Sequence, residues 1–185
     1  MTRIITGSAG GRTLRVPPTG TRPTSDRVRE ALFSRIDALT DILGASVLDL
    51  YAGSGAVGFE AASRGASRVD LVDNSDKAIR VITDNFTALA VALPNTTVKS
   101  HRSTALAFLE SSTDTWDIVF LDPPYDTPNS EVEHVVAALV ERLSPDALVA
   151  VERSAREPEP RWPAGIERLN PKTYGETTLY WLSAE

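Results

Sequence analysis

Val47-Leu48-Asp49-Leu50-Tyr51-Ala52-Gly53-Ser54-Gly55-Ala56-Val57-Gly58, followed by Arg68-Val69-Asp70-Leu71-Val72-Asp73, decides the fold of this 185-residue chain. A short apolar strand, a glycine-rich turn, a helix from about Ala56 to Ser63 and a second apolar strand make one βαβ unit. The alternation continues downstream. Ser75 caps a long helix whose apolar residues Ile79, Ile82, Phe86, Leu89 and Leu93 recur at helical spacing until Pro94 stops it. Thr97-Val98-Lys99 is a weak strand, residues 104–110 form a short helix, and Trp116-Asp117-Ile118-Val119-Phe120-Leu121 is the clearest buried strand. Ser130 and Glu133 make a capping box for a helix carrying Val132, Val136, Leu139 and Leu143. Residues 147–151 are another buried strand, and 166–173 with 176–182 flank Tyr174-Gly175 as an antiparallel hairpin. Strands separated by helices imply a doubly wound, mostly parallel α/β sheet, with its ligand site beyond the carboxyl ends of the strands.

Upstream, residues 3–6 and 12–16 read as a hairpin around the turn Gly7-Ser8-Ala9-Gly10-Gly11. Pro17-Pro18-Thr19-Gly20 breaks it, and a helix follows with Thr24 or Ser25 as N-cap and Val28, Ala31, Leu32 and Ile36 on its apolar face. This segment is too small for a core of its own, so the expected division is a 1–36 extension leaning on a 37–185 body. A chain of this length buries roughly 70% of its unfolded surface, enough for one two-sided sheet.

The absence of cysteine excludes disulfides, thiolate zinc sites and a catalytic thiol. His101 and His134 have no metal-ligand spacing and read as surface or boundary residues, so no metal is expected. No apolar run approaches the roughly 18 residues of a membrane span, and the first residues lack a signal-peptide core; a cytoplasmic monomer is expected. The net charge of −6 argues against a polyanionic partner, but its distribution argues for one. Residues 1–36 hold seven arginines against Asp26 and Glu30, a balance of +5, while the remaining 12 basic and 23 acidic residues give −11. Phosphate contacts are local, so an acidic body with a basic arm can still grip nucleic acid.

Two strand ends carry chemistry. Gly53, Gly55 and Gly58 satisfy G-x-G-x-x-G, with Asp73 following Gly53 by 20 residues, placed to accept hydrogen bonds from ribose hydroxyls. The loop alone serves NAD and S-adenosylmethionine equally. Asp49 tips the choice, because a carboxylate there repels a pyrophosphate and attracts the ammonium of a methionine moiety. The second strand end is Asp122-Pro123-Pro124-Tyr125, 69 residues beyond Gly53. An exocyclic base amine is a poor nucleophile because its lone pair is delocalised into the ring. Hydrogen bonds to the Asp122 carboxylate and to the Pro123 carbonyl would localise that lone pair, while Tyr125 stacks on an extruded base. Attack on a sulfonium methyl then needs positioning and no metal.

Together, Asp49 to Gly58 with Asp73, and Asp122 to Tyr125, resemble motifs of class I methyltransferases acting on base amino groups. The N-terminal stretches Arg3-Ile4-Ile5-Thr6-Gly7, Gly10-Gly11-Arg12 and Arg22-Pro23-Thr24-Ser25-Asp26-Arg27-Val28-Arg29-Glu30-Ala31-Leu32-Phe33 narrow this. They resemble the RsmD family of 16S rRNA guanine-N2 methyltransferases, and the likeness runs through the closing Tyr174-Gly175 hairpin. The resemblance implies a seven-stranded Rossmann-like sheet with a small RNA-binding extension, acting on one guanine of 16S rRNA within a 30S particle. It implies that Asp49, Gly53 and Gly55 contact the methionine part of S-adenosylmethionine, that Asp73 holds its ribose, and that Asp122, Pro123 and Tyr125 hold the guanine, with Asp122 also at the cofactor. Where the family places Asp or Asn near the adenine, Thr104 stands here, beside Ser103. Arg3, Arg12, Arg15, Arg22 and Arg27 are the RNA-contact candidates, since guanidinium suits phosphate geometry; Arg22 is equally placed to order the loop over the active site. Trp116 and Trp181 read as core. Three rivals stand beside this reading: an adenine amino-methyltransferase sharing the Asp122 motif, a non-catalytic RNA-binding assembly factor, and a dehydrogenase that leaves the Asp122 segment unexplained.

Overall fold

The computed structural model describes residues 2–17 and 26–185. Arg22, the Thr24/Ser25 cap and the break at Pro18-Thr19-Gly20 therefore lie outside the described residues. In chain order the elements are β1 (Thr2–Arg3), β2 (Thr13–Leu14), α1 (Asp26–Leu39), β3 (Ser46–Leu50), α2 (Ala56–Ser63), β4 (Arg68–Asp73) and α3 (Asp76–Leu89). There follow β5 (Thr97–Arg102), α4 (Ala105–Ser111), β6 (Trp116–Leu121), α5 (Asn129–Val140), β7 (Leu143–Ser154), β8 (Ile166–Arg168), β9 (Lys172–Tyr174) and β10 (Thr177–Ala184).

The main sheet runs β5-β4-β3-β6-β7-β10-β8, with β9 adding to β10 as an eighth strand. Strands β5, β4, β3, β6 and β7 are parallel, and β10 is antiparallel to β7. The seven strands expected are present; the eighth arises because the anticipated 166–173 strand is cut in two. Leu169-Asn170-Pro171 separates β8, which pairs with the end of β10, from β9, which pairs with its start. Pro171 lacks the N–H that a continuous ladder needs.

Period-two alternation in the strands divides the core. Val47, Phe120, Ala150 and Trp181 face one side, where Phe33 and Ile36 of α1, Phe59 of α2 and Ile82 of α3 cover them. Leu48, Val119, Leu121, Val149 and Val151 face the other, against Phe108 and Leu109 of α4 and Val132, Val136 and Leu139 of α5. Trp116 and Trp181 are both buried, as expected. His101 sits at the boundary with its Nε2 2.8 Å from the buried Asp70, whose other oxygen accepts from Trp116 Nε1 at 2.9 Å. His134 is exposed.

Two local expectations fail. The Ser130/Glu133 capping box does not form: α5 starts at Asn129 with Pro128 in the cap position, so Ser130 is already inside the first turn. The Glu133 carboxylate instead accepts the Arg161 amide at 2.9 Å. The N-terminal hairpin is also shorter than its apolar pattern, with two residue pairs in register. Its backbone turns away to α2, where the buried Glu60 carboxylate accepts the amides of Ile5 (2.6 Å) and Thr6 (3.1 Å). Ser63 adds a bond to the Thr6 carbonyl at 2.6 Å and one from the Ala9 amide at 2.9 Å.

Candidate active site

The carboxyl ends of β3, β4 and β6 converge on one face. Asp49 lies on β3 between Leu48 and Leu50, whose side chains face the α4/α5 side, so its own points to the opposite side. It is 3% exposed and accepts the Gly58 amide at 3.1 Å. The chain then turns sharply: Tyr51 adopts φ 68°, a left-handed conformation rare for a non-glycine residue, and the Ala52 amide bonds the Val72 carbonyl at 2.9 Å. Gly53 and Gly55 follow with φ 57° and 78°, values that only glycine adopts without strain. At Gly58 the requirement is space, since a Cβ there would stand 2.3 Å from Leu71 Cδ2.

Asp73, at the end of β4, holds this loop directly. One carboxylate oxygen accepts the Gly53 amide at 2.9 Å and the other the Ser75 amide at 2.8 Å, which fixes the acid at the mouth of the loop. Asn85 of α3 ties the outer side: its Nδ2 donates to the carbonyls of Ser54 and Arg15, both at 3.0 Å. Asn85 is thus a link between the glycine loop and the N-terminal segment that its place on a helical face did not disclose. Thr104 caps α4, its hydroxyl accepting the Ala107 amide at 3.3 Å, and is exposed beyond the end of β5.

These acids repel one another. Burial, with the neighbouring Asp122 and Asp73 charges, raises Asp49 from its ordinary 3.8 to about 8, against the opposing hydrogen bond from Gly58. A buried carboxyl beside two others, with the Gly58 amide at the head of α2 donating to it, is still short of positive charge. The ammonium and sulfonium of S-adenosylmethionine would supply that charge, and the N–H groups opening α2 would suit its carboxylate. The residues present therefore fit the cofactor.

Asp122 follows β6 directly. Pro123 is buried, whereas Pro124 and Tyr125 are exposed. The two proline carbonyls differ: that of Pro124 accepts the Thr127 amide at 3.0 Å, and among the described residues none donates to that of Pro123. β7 and β10 brace this loop. The Arg153 guanidinium, 2% exposed, donates to the Thr127 carbonyl (2.7 Å) and Asn129 Oδ1 (2.9 Å). The Tyr125 hydroxyl lies 3.3 Å from Thr177 Oγ1, which in turn donates to Glu152 Oε1 at 3.4 Å. The sequence reading missed Glu152, Arg153 and Thr177. A signal was there, because two adjacent charged residues end the most apolar stretch of β7.

The N-terminal arginines do not act as one surface. Arg3, Arg12 and Arg27 are exposed. Arg15 is exposed too but pairs with Asp84 at 3.0 Å. Arg29, which swells the local charge count, is 1% exposed and bonds Thr2 Oγ1 and Asp26 Oδ1, both at 2.9 Å. Its role is to lock α1 to β1.

The profile of the family described as Conserved hypothetical protein 95 matches residues 2–183. Ribosomal RNA small subunit methyltransferase D of Escherichia coli (strain K12) is 35% identical over 188 positions, covering 99% of this chain and 91% of that protein. The protein of the same name from Haemophilus influenzae is 34% identical over 159 positions, covering 84% and 80%. Among solved structures, yhhF of Escherichia coli superposes at a TM-score of 0.86 and 33% identity, over 100% of this chain and 98% of that one. Magnesium protoporphyrin IX methyltransferase of Synechocystis, solved with bound S-adenosylmethionine, shares the fold alone: 14% identity and a TM-score of 0.69 over 92% of this chain and 88% of that one. With a parallel sheet, a glycine loop flanked by Asp49 and Asp73, and these relatives along its whole length, the chain belongs to the RsmD family of class I methyltransferases, which take their methyl group from S-adenosylmethionine.

Proposed function

We propose that this enzyme transfers a methyl group to the exocyclic N2 of a guanine in 16S rRNA of the small ribosomal subunit. The observation that carries the reading is the end of β6. There a carboxylate, a buried proline carbonyl with no donor among the described residues, and an exposed tyrosine stand beside the Asp49 loop. The names of the Escherichia coli and Haemophilus influenzae relatives support ribosomal RNA as the substrate.

Asp49, Gly53, Gly55 and Asp73 hold the cofactor, which supplies an electrophilic sulfonium methyl; Thr104 stands on the adenine side. Tyr125 stacks on the extruded guanine and fixes its plane. The two N–H groups of the amine donate to Asp122 and to the Pro123 carbonyl, which draws the nitrogen lone pair out of the ring and aims it. As the nitrogen takes the methyl, whose bond to the cofactor sulfur would break with the electron pair left on sulfur, the nitrogen becomes cationic, and the Asp122 carboxylate would accept the proton it sheds. Positioning and a charge-assisted hydrogen bond carry the step. Residues 1–36 form the RNA-binding extension, with Arg3, Arg12, Arg15, Arg22 and Arg27 toward the phosphates.

The test is transfer of labelled methyl to unmethylated 30S particles, naked 16S rRNA and duplex DNA, followed by nucleoside mass spectrometry. N2-methylguanosine on particles is the expected product. Methyladenine on any substrate would overturn the guanine assignment, and absence of transfer with cofactor still bound would overturn the catalytic one.

A further inference from the structure

Tyr174-Gly175 turns the chain's last hairpin, and the mechanism above leaves it without a role. Tyr174 is the register partner of Thr177, whose hydroxyl lies 3.3 Å from that of the base-stacking Tyr125. The hairpin thus stands one strand beyond the base loop. Strand alternation puts Tyr174 and Lys172 on the face of Thr177, Leu179 and Trp181, which is the side covered by α1. There the helix and the hairpin do not close on each other. Ala31, Ser34, Arg35 and Ala38 recur at helical spacing along one side of α1, and apart from Arg35 they are small. They leave a groove of about 480 Å³, with the 171–174 segment as its far wall and the buried Trp181 at its floor. Two cations line it, Arg35 and Lys172, and neither has a carboxylate partner among the described residues. Lys172 rests on the Tyr174 ring, its Nζ 5.5 Å from the centroid. Elsewhere on this acidic body Arg64, Arg68, Arg102, Arg156 and Arg168 are each taken by a carboxylate. The nearby acids lie away from the groove: Glu30 and Asp37 project from the other flank of α1, with Asp37 paired to Arg64, and Glu176 pairs with Arg156.

We propose that this groove seats the RNA strand beside the target guanine, with Arg35 and Lys172 on its phosphates. This rests on the reading of ribosomal RNA as the substrate. Guanidinium and ammonium both grip phosphate, and the Tyr174 ring gives the sugar or base between two phosphates an apolar wall. An apolar peptide laid in the groove would bury two cations without counter-charge, whereas a phosphate strand matches both. The position suits a strand that crosses the active site. The hairpin arginines Arg12 and Arg15 lie on one flank, where Glu60 of α2 and Asn85 of α3 hold that hairpin. Those helices pack on β3, β4 and β5, while the groove lies at β10. In the sheet order β6, with its 122–125 loop, falls between the two flanks. A strand gripped on both flanks presents the base between them to Tyr125.

The test uses unmethylated 30S particles, with the methylated nucleoside identified by mass spectrometry. Arg35→Glu combined with Lys172→Glu should raise KM for particles at least about tenfold. It should also flatten the dependence of log affinity on log salt by about 1.4, two contacts at about 0.7 each on a single strand. Arg35→Lys combined with Lys172→Arg keeps both charges and should keep the wild-type KM and slope. Unchanged cofactor affinity and Tm report an intact fold in both variants. A benzophenone side chain in place of Ser34, on the rim of the groove, should crosslink under light to the 16S rRNA nucleotides adjoining the methylated guanine. A KM and salt slope unaltered by the charge reversal overturn this use of the groove while leaving the reaction as proposed. So does a crosslink to a protein of the particle or to RNA remote from that guanine. Wild type that makes no N2-methylguanosine on any particle overturns the reaction and this inference with it.

Discussion

At the residue scale, Asp49 and Asp122 share a face and are set apart by environment. Burial first, then the Asp122 and Asp73 charges, lift Asp49 to about 8, above its ordinary 3.8. A carboxyl raised on folding costs nothing below its unfolded pKa and destabilises progressively as pH climbs toward its folded one. The cofactor-free fold therefore loses stability from about pH 4 to pH 8. If Asp49 meets the cofactor's cationic groups as proposed, cofactor binding at pH 7 should ionise it and release a proton, which calorimetry in buffers of different ionisation enthalpy would register. Asp49→Asn should raise Tm at pH 8 and weaken cofactor affinity about 10- to 100-fold; unaltered affinity would remove Asp49 from the cofactor site. Asp122→Ala deletes the charged acceptor for the amine and should cut kcat by at least about 100-fold at unchanged Tm. Full activity in that variant would sink the proposed mechanism.

Two contacts between elements govern whether these residues meet. Gly58 lets α2 lie against β4: a Cβ there stands 2.3 Å from Leu71 Cδ2 and 3.0 Å from Val69 Cγ1, both atoms held in the core. Gly58→Ala should push the helix off the sheet and cost about 1–3 kcal/mol, a fall in Tm of about 3–10 °C by calorimetry. An unchanged Tm would mean that the core absorbs the methyl group. Glu60, on the opposite side of the same helix from solvent, receives the Ile5 and Thr6 amides and pairs with Arg64 at 2.9 Å. Glu60→Ala strands two amides and leaves the Arg64 guanidinium with Asp37 alone as its carboxylate partner at 3.0 Å, and should cost about 2–4 kcal/mol. Amide exchange at Ile5 and Thr6 should rise to the rate of exposed loops while the β3 and β6 amides stay protected in proportion to global stability. Equal protection in both enzymes would show that the hairpin is held by something else.

Across the whole molecule, an acidic body meets a polyanion through few cations. The +5 of residues 1–36 overstates that surface, because Arg29 is buried and Arg15 is shared with Asp84. Arg12, exposed on the hairpin turn, and Arg15, tied through Asn85 to the glycine loop, remain the best-placed pair. Charge reversal of both should weaken particle binding and flatten its dependence on log salt by up to about 2, since each lost phosphate contact removes about 0.7–0.9 from the slope. Cofactor affinity should stay constant. Binding unaffected by the double reversal would move the RNA surface elsewhere on the protein.

Much of this was legible before any coordinates. Strand and helix periodicity placed α2, β4 and β6 at the bounds the structure shows, because each buries a continuous apolar face whose spacing is set by backbone geometry alone. The glycine loop, Asp49, Asp73 and Asp122 were legible for a related reason: a strand end in a doubly wound sheet fixes where its side chains go. Tertiary structure decided what depends on distant partners. Pro128 moved the start of α5 and dissolved the Ser130 cap; the ladder of β10 split β8 from β9; Glu60 drew the hairpin onto α2. Arg29, one of the seven arginines in residues 1–36, became a core lock, and Thr177, with Glu152 behind it, came to Tyr125 because β7 and β10 outrun β6. A linear pattern records which face a residue occupies. Which other chain segment meets it there is a property of the packed sheet.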